Sequence, residues 1–315
     1  PEVARYQSWD APYSPADAER LIAEMATRVA PVPGDWLQIA VEHQGALAGD
    51  VAVGLDPAGR VATVGYTLAA ASQGHGFGRE AVGALVDRLF HELGVHRVEA
   101  SLDARNLASA RLIESLGFER EGVSPAAVWA GGEWVDDVRY GLNEDQHAAW
   151  VARPQDPPAD VALVAITPAT ARAVMALRTH PNQERFVSPV RNSYADAMFP
   201  DVVDGAPVVP WMRAIAADGE LAGFVMLAEA TDHHPVPYLW RLLIDRRHQR
   251  RGIGDRVIGL LVERLRAAGH TALLVGWRQG PGGPEPFYLR RGFRPTGAVH
   301  DGEIEGRLDL TAATT

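Results

Sequence analysis

The sequence predicts an α/β protein, in the α+β sense: two copies of one domain in tandem, each a mixed, mostly antiparallel sheet flanked by helices. Three observations predict it. Residues 73–78 (Gln-Gly-His-Gly-Phe-Gly) and 249–254 (Gln-Arg-Arg-Gly-Ile-Gly) each follow an apolar, strand-like run and each open a run of helical character. Gly45–Gly49 and Gly219–Gly223 share Gly-x-Leu-Ala-Gly, and the pair Gly117-Phe118 recurs as Gly292-Phe293. These landmarks hold one register, 174 to 176 residues apart, which is the mark of a duplication.

Taken in order, Trp36–His43, Leu47–Leu55 and Val61–Ala69 read as strands, with turns at Gly45 and Asp56–Gly59. Ser72 stands just before the glycine loop. A helix over Gly78–Leu93 is predicted from Ala81, Leu85, Leu89 and Leu93 at i+4 spacing. Val95–Leu102 is the next strand, Asn106 opens a short helix ending at Gly117, and Trp134–Leu142 closes the copy. The strand candidate Val161–Ile166 opens the second copy. Its counterpart would precede residue 1, so the first copy is expected to lack its opening strand and much of its first helix.

The boundaries are read as a domain over 1–150, a linker over 151–160 and a domain over 161–315. Arg153-Pro-Gln-Asp-Pro-Pro-Ala-Asp160 carries three prolines, which no helix interior or central strand tolerates. The second copy continues with a helix over Pro168–Thr179 and a loop-rich stretch to Asp204. Strands are then expected at Val208–Ala217, Leu221–Ala230 and Tyr238–Asp245. After them come a helix over Gly252–Ala268, a strand over Thr271–Trp277, a short helix over Pro286–Arg291 and two final strands ending at Leu310.

At 315 residues, 47% hydrophobic and 22% charged, the chain has the composition of a globular protein with room for two cores. It contains no cysteine, which removes disulfides, thiolate metal sites and a cysteine acyl-enzyme. It contains no lysine either, so all 30 basic residues are arginine, and both a P-loop and a lysine Schiff base are excluded. A net charge of −10 argues against nucleic acid and mildly favours cationic substrates. No apolar run reaches membrane-spanning length and no signal-peptide pattern opens the sequence, so a cytoplasmic protein without a membrane partner is expected.

The glycine loops carry the chemistry. Glycine lets backbone approach a ligand closely. The first turn of the following helix has unpaired N–H groups, and its dipole favours an anion, typically phosphate. A dinucleotide-binding reading also exists, because Gly76-Phe-Gly78-Arg-Glu-Ala81 fits G-x-G-x-x-A and Glu99 lies near the expected spacing. The second copy breaks that pattern with Val257 at the Ala81 position, while both copies keep glutamine at the loop start.

Gln-x-x-Gly-x-Gly after a strand, then a helix, a strand, a short helix and Gly-Phe, resembles the GNAT superfamily of acyl-CoA-dependent N-acyltransferases. The resemblance covers nearly the whole chain. The first half is similar to the ribosomal-protein and aminoglycoside acetyltransferase type, including the opening Pro1–Trp9, which resembles the segment after the first helix there. The second half is similar to bacterial polyamine acetyltransferases.

The resemblance implies acetyl-CoA as co-substrate and no metal. It implies that loop amides hold the pyrophosphate, through Gln249, Arg250, Arg251, Gly252, Ile253 and Gly254 in the second copy. The first-copy equivalents are Gln73, Gly74, His75, Gly76, Phe77 and Gly78. Pantetheine is expected on the free strand edge near Leu243 and Ile244, and near Leu68 within Thr67–Ala69. Phe287-Tyr288 before Gly292-Phe293 resembles the signature whose tyrosine protonates the departing thiolate, so Tyr288 is the expected general acid. The asparagine usual shortly before this pair is replaced by Gln279-Gly-Pro-Gly-Gly-Pro284.

The first copy has no such tyrosine. It has Asn106-x-x-Ser109, which resembles the ribosomal-protein subgroup, where the asparagine meets the cofactor and the serine is a proton donor. Both residues equally suit a helix cap. A glutamate common in that subgroup is Thr63 here. Glu184 and Phe186, in a segment similar to the polyamine enzymes' acceptor site, and Glu229, near Asp232, His233 and His234, are the candidate substrate contacts. A general base is not readable, and the His-His pair lacks a third metal ligand at defined spacing.

The expectation is direct acetyl transfer to a primary amine of a small molecule, polyamine-like or an amine antibiotic, with the second domain catalytic. The alternatives are a non-catalytic acyl-CoA-binding or sensory tandem protein, and a protein N-terminal acetyltransferase. The assembly is expected to be a monomer with two pseudo-symmetric domains, or a homodimer.

Overall fold

A computed structural model describes residues 3–7, 14–203 and 205–311. The chain forms two compact units, Pro1–Ala152 and Arg153–Thr315. Of the opening segment, Val3–Tyr6 forms a single 3-10 turn, and residues 1, 2, 8 and 9 lie outside the described residues.

The first unit runs α1 (Pro15–Met25), β1 (Trp36–His43), β2 (Ala46–Leu55), β3 (Val61–Leu68), α2 (Phe77–His91), β4 (Arg97–Asp103), α3 (Leu107–Ser115), β5 (Glu119–Ala130), β6 (Glu133–Asn143) and α4 (Glu144–Val151). Its six strands lie in the order β1-β2-β3-β4-β6-β5. Every neighbouring pair is antiparallel except β3 and β4, and that parallel pair is what requires α2 as a crossover. Val82, Leu85, Val86, Leu89 and Phe90 of α2 pack on Val53, Val64, Val98 and Leu142.

Leu93, expected on that face, is 40% exposed and lies beyond the helix end. A strict i+4 series drifts about 40° per step on a helix of 3.6 residues per turn, so its last member leaves the core. Strand β5 is absent from the expected elements because Gly122 and Pro125 interrupt it and its register breaks twice. It survives as an edge strand, where proline is tolerated. The capping box of Asn143 with Gln146 starts the unpredicted α4.

The second unit runs β7 (Val161–Val164), α5 (Ala171–Met175), α6 (Val190–Met198), β8 (Val202–Val203), β9 (Ala206–Pro207), β10 (Val209–Ala217), β11 (Glu220–Glu229), β12 (Tyr238–Ile244), α7 (Ile253–Ala267), β13 (Ala272–Trp277), α8 (Glu285–Arg290), β14 (Arg294–His300) and β15 (Glu303–Asp309). The main sheet is ordered β14-β15-β13-β12-β11-β10-β7, with only β12 and β13 parallel. Strand β11 is buried on both faces. Val225 and Leu227 join the cluster under α7, while Phe224 and Met226 join the one under α5 and α6.

The helix expected over Pro168–Thr179 shrinks to Ala171–Met175. Thr167 N–H donates to the Thr170 hydroxyl at 2.9 Å and holds the start as a turn, while Arg178 N–H is taken by the Asp245 carboxylate at 3.0 Å. Local and tertiary hydrogen bonds thus displace helical ones at both ends. The stretch expected to be loop-rich contains α6.

Candidate active site

Each glycine loop turns the end of a strand into the start of a helix, and the two do so with the same backbone. The second and fourth loop residues are left-handed in both: Gly74 (φ 78°) and Gly76 (φ 89°), then Arg250 (φ 66°) and Gly252 (φ 77°). Both loop glutamines also make the same bond. Gln73 Nε2 donates to the Leu68 carbonyl at 3.1 Å and Gln249 Nε2 to the Ile244 carbonyl at 3.0 Å. This bond closes the loop on the last residue of its strand and accounts for glutamine in both copies. Gly76 and Gly252 are the helix N-caps and have no side chain to cap with, so the first-turn amides of α2 and α7 stay open to an anion.

The strands before the loops part from their neighbours. Strand β12 pairs with β13 only at Tyr238 and Leu239, opposite Leu274 and Val275, and residues 240–244 continue without that partner. Strand β3 pairs with β4 only over Val61–Thr63. A bulge at Trp240, where the β11–β12 register shifts, adds to the turn of β12 away from β13. No sequence pattern marks that bulge.

In the second unit this parting opens into a cleft of about 1030 Å³. Its walls include Gln249, Arg250, Gly252, Ile253 and Gly254 from the loop, Trp240, Leu242 and Ile244 from β12, and Glu184 and Phe186 from the segment after α5. Gly252 has open space where a Cβ would stand, and Gly254 faces only the Phe287 ring, at 3.3 Å. Phe186 lies over the bare faces of Gly280 and Gly283, and Arg185 Nη2 donates to the Pro281 carbonyl at 2.7 Å. The glycine-proline loop in place of the family's asparagine is thereby tied to the segment holding Glu184.

Tyr288 lines the cleft and is 7% exposed. Trp277 stacks on it at 5.5 Å, and Phe287 and Phe293 meet it edge-on. Its hydroxyl makes no hydrogen bond to any described residue. Burial, then the neighbouring Tyr238 and Glu303, raises the phenol above its ordinary value, so it holds its proton at neutral pH.

Three residues that no sequence motif singles out stand beside it. The point where a Gly276 Cβ would lie falls against the Tyr238 hydroxyl and 2.8 Å from Glu303 Oε2. Glu303 also faces Arg278 at 3.5 Å. They are separated in sequence, so nothing short of the fold gathers them.

The side chains of some expected residues point away from the cleft. Leu243 points into the core under α5 and α6, and only its neighbours Leu242 and Ile244 reach the cleft, as strand alternation requires. The Arg251 side chain is buried and turned to the linker, donating to the Asp156 carbonyl at 2.7 Å and lying 3.0 Å from His248 Nδ1. Glu229 does not line the cleft: it pairs with Arg264 of α7 at 2.5 Å, because its strand ends beside that helix. Asp232, His233 and His234 likewise do not line it.

The first unit arranges its equivalents differently. Asn106 Oδ1 accepts from Ser109 N–H at 3.1 Å, a helix cap. The Ser109 hydroxyl lies 2.6 Å from that of Tyr66, on the free part of β3, the tyrosine of the Gly65-Tyr66 pair that follows Thr63. Tyr66 is raised above its ordinary value by burial. In the register of Gly117 and Gly292, Tyr288 corresponds to Ile113, which is 0% exposed. Leu112 and Leu68 cover the bare face of Gly78 at 2.7 and 2.9 Å. His75 and Phe77 stack on each other at 5.8 Å.

Among the described residues one group has metal-ligating side chains: Asp87, His91 and His147, with ligand atoms within 4.8 Å of one another. There His147 Nε2 bonds Asp87 at 2.9 Å and docks α4 on α2, ten residues along α2 from the loop. No described helix is long and apolar enough to cross a membrane.

Comparison with known proteins bears on both loops. A profile described as an acetyltransferase (GNAT) domain matches residues 1–119, and one for the acetyltransferase (GNAT) family matches residues 174–293. A Bacillus subtilis strain 168 protein named as a probable N-acetyltransferase is 44% identical over 87 residues, 27% of this chain and 48% of that one. The L-methionine sulfoximine/L-methionine sulfone acetyltransferase of Salmonella typhimurium is 37% identical over 79 residues, 25% of this chain and 46% of its own. The chain therefore spans about half the length of these relatives. Among solved structures, the spermidine N-acetyltransferase of Vibrio cholerae, with CoA and spermine, is 22% identical with a TM-score of 0.41, over 47% of this chain and 85% of that one. With a match in each half, laid over the two loops and the two mixed sheets, this chain belongs to the GNAT family of acetyltransferases and carries two domains of it.

Proposed function

We propose that the second unit transfers acetyl from acetyl-CoA directly to a primary amine of a small molecule, polyamine-like or an amine antibiotic. One observation carries this reading: β12 leaves β13 and runs into an open, uncapped helix start within the same cleft that holds Tyr288. The names of the sequence relatives, as N-acetyltransferases, agree with it.

The residues fit acetyl-CoA as substrate. The open amides of Gly252, Ile253 and Gly254, with Arg250 beside them, suit a pyrophosphate. The backbone edge of residues 240–244 offers unpaired N–H and C=O groups to pantetheine amides, in the manner of strand addition. Tyr288 donates its proton to the sulfur as the thiolate leaves, from an apolar setting that keeps the phenol neutral. With no cysteine to hold the acetyl group, transfer goes through a ternary complex.

A second reading applies to the first unit. Ile113 in place of Tyr288, and leucines over Gly78, favour a role in binding or in structure rather than in turnover there. The test is a thiol-release screen with acetyl-CoA over polyamines, aminoglycosides and peptides with free N-termini. Turnover of a small amine is expected. Preference for the peptides moves the protein to N-terminal acetylation, and no turnover with any of them favours a non-catalytic acyl-CoA binder.

A further inference from the structure

The place where β12 leaves β13 holds more than the cleft's mouth. The last paired residues are Leu239 and Val275, and Gly276 comes next. Its missing side chain makes room for the Tyr238 hydroxyl, which stands where a Cβ would lie, and for Glu303 Oε2, 2.8 Å from that point. No hydrogen bond joins those two oxygens, and both tyrosines near the spot, Tyr238 and Tyr288, feel the Glu303 charge. We propose that the Glu303 carboxylate, which lines the cleft with Gly276 and Tyr288 and has the Tyr238 hydroxyl nearby, receives the acceptor's primary ammonium group and takes its protons. This rests on the acetyl-transfer reading above.

The chemistry suits a cation. A carboxylate and a phenol oxygen both accept, and the carboxylate supplies the opposing charge. Glu303 is held by Arg278 at only 3.5 Å, on a half-exposed flank, so an ammonium can replace that guanidinium. The other charged groups nearby are Glu305, beside Tyr238, His300, 3.7 Å from Glu305, and Arg241, a cation near Tyr238 that faces Asp196 at 3.5 Å.

The first unit supplies an internal comparison. At the same sheet positions Thr63 stands for Tyr238, Ser101 for Gly276 and Asp137 for Glu303. There the Ser101 hydroxyl donates to Asp137, so a side chain fills the space and occupies the carboxylate. The carboxylate faces the cleft in the second copy and is bonded by a serine of the neighbouring strand in the first.

The step balances. The ammonium gives one proton to Glu303, which passes it to water. The nitrogen lone pair then forms the C–N bond to the thioester carbon, and the C–S bond breaks with its pair on sulfur. The second nitrogen proton goes to Glu303 and the Tyr288 proton goes to sulfur. Exchange with water resets both residues, and one proton is released per acetyl group transferred.

The test uses the full chain with spermine, benzylamine and an alanine-terminated peptide as amine probes, compared on whichever turns over fastest. Glu303→Gln, isosteric and half-exposed, is expected to lower kcat by about 10²–10⁴-fold. Its acetyl-CoA affinity by titration calorimetry should match that of the unsubstituted protein. Its kcat should keep rising about tenfold per pH unit where the unsubstituted enzyme has levelled, and Glu303→Asp should recover part of the loss. A Gln variant with near-normal kcat overturns the proposal, as does a loss explained by weaker acetyl-CoA binding. A protein that binds acetyl-CoA and acetylates none of the three probes also overturns it. Failure to bind acetyl-CoA at all overturns the acetyl-transfer reading instead, and this inference with it.

Discussion

The side-chain amides of Gln183 and Gln249 bond each other in both directions, at 2.8 and 3.2 Å. Gln249 uses its other N–H on the Ile244 carbonyl, so one side chain ties together the strand end, the loop and the segment carrying Glu184 and Phe186. Gln249→Leu strands the Ile244 carbonyl and is expected to cost about 1–3 kcal/mol. Gln183→Leu spares the Ile244 bond but strands the His180 N–H, which donates to Gln183 Oε1 at 3.2 Å, so it should cost a similar amount. Calorimetric unfolding and acetyl-CoA titration check this, and a negligible effect of either substitution would refute it.

Tyr288→Phe removes one oxygen and keeps the ring between Trp277 and Phe293. Loss of a general acid should lower kcat by about 10²–10⁴-fold. KM for acetyl-CoA should change little, because the lost interaction belongs to the transition state. Unchanged turnover with a lowered Tm marks a structural tyrosine and shifts attention to Ser109.

Gly252 sits at φ 77° with open space beyond it. A glutamate there strains the backbone and places a negative charge where a phosphate is expected. Gly252→Glu should abolish tight acetyl-CoA binding in isothermal titration while the first unit stays folded. Retention of the tight site assigns it to the loop at residues 73–78.

The absence of cysteine predicts sequential kinetics, with intersecting double-reciprocal lines. Parallel lines together with a covalent acetyl adduct in the mass spectrum would show another nucleophile at work.

Burial, then the charges of Arg246 and Arg153, pushes His180 from its ordinary 6.5 down to about 4. The unfolded chain therefore binds this proton first on acidification. The folded state has its full advantage above about pH 6.5 and loses it as the pH falls towards 4. His248 and His147 are lowered in the same direction, again mainly by burial. Scanning calorimetry from pH 8 to 4 should show this decline, and His180→Gln should make it shallower. An unaltered slope in that variant would remove His180 from the account.

Both sheets, the crossover helices and the two loops were legible because each rests on local signals: apolar runs, glycines at the turn, glutamine at the loop start. Tyr288 was legible for the same reason, as part of a short spaced motif. Glu303, Gly276 and Tyr238 were not, since they meet only through pairing of β12 with β13 and of β13 with β15. The directions of the Arg251 and Glu229 side chains were not legible, because a motif position or a strand end fixes where the Cα lies, not where the side chain goes. Arg251 turned to the linker and Glu229 to Arg264.

Arg251 also bears on how this protein can be divided. Its guanidinium and that of Arg256 hold three carbonyls of the proline-rich stretch, those of Asp156, Pro158 and Ala159. That stretch is therefore a strap fastened to the second unit. A fragment begun at Asp160 strips the buried Arg251 of its carbonyl acceptor and leaves it only His248 and, at 3.8 Å, Asp218, a loss of about 1.5–3 kcal/mol for a hydrogen bond to a charged group. A cut between Ala152 and Arg153 keeps the strap and all three of these bonds.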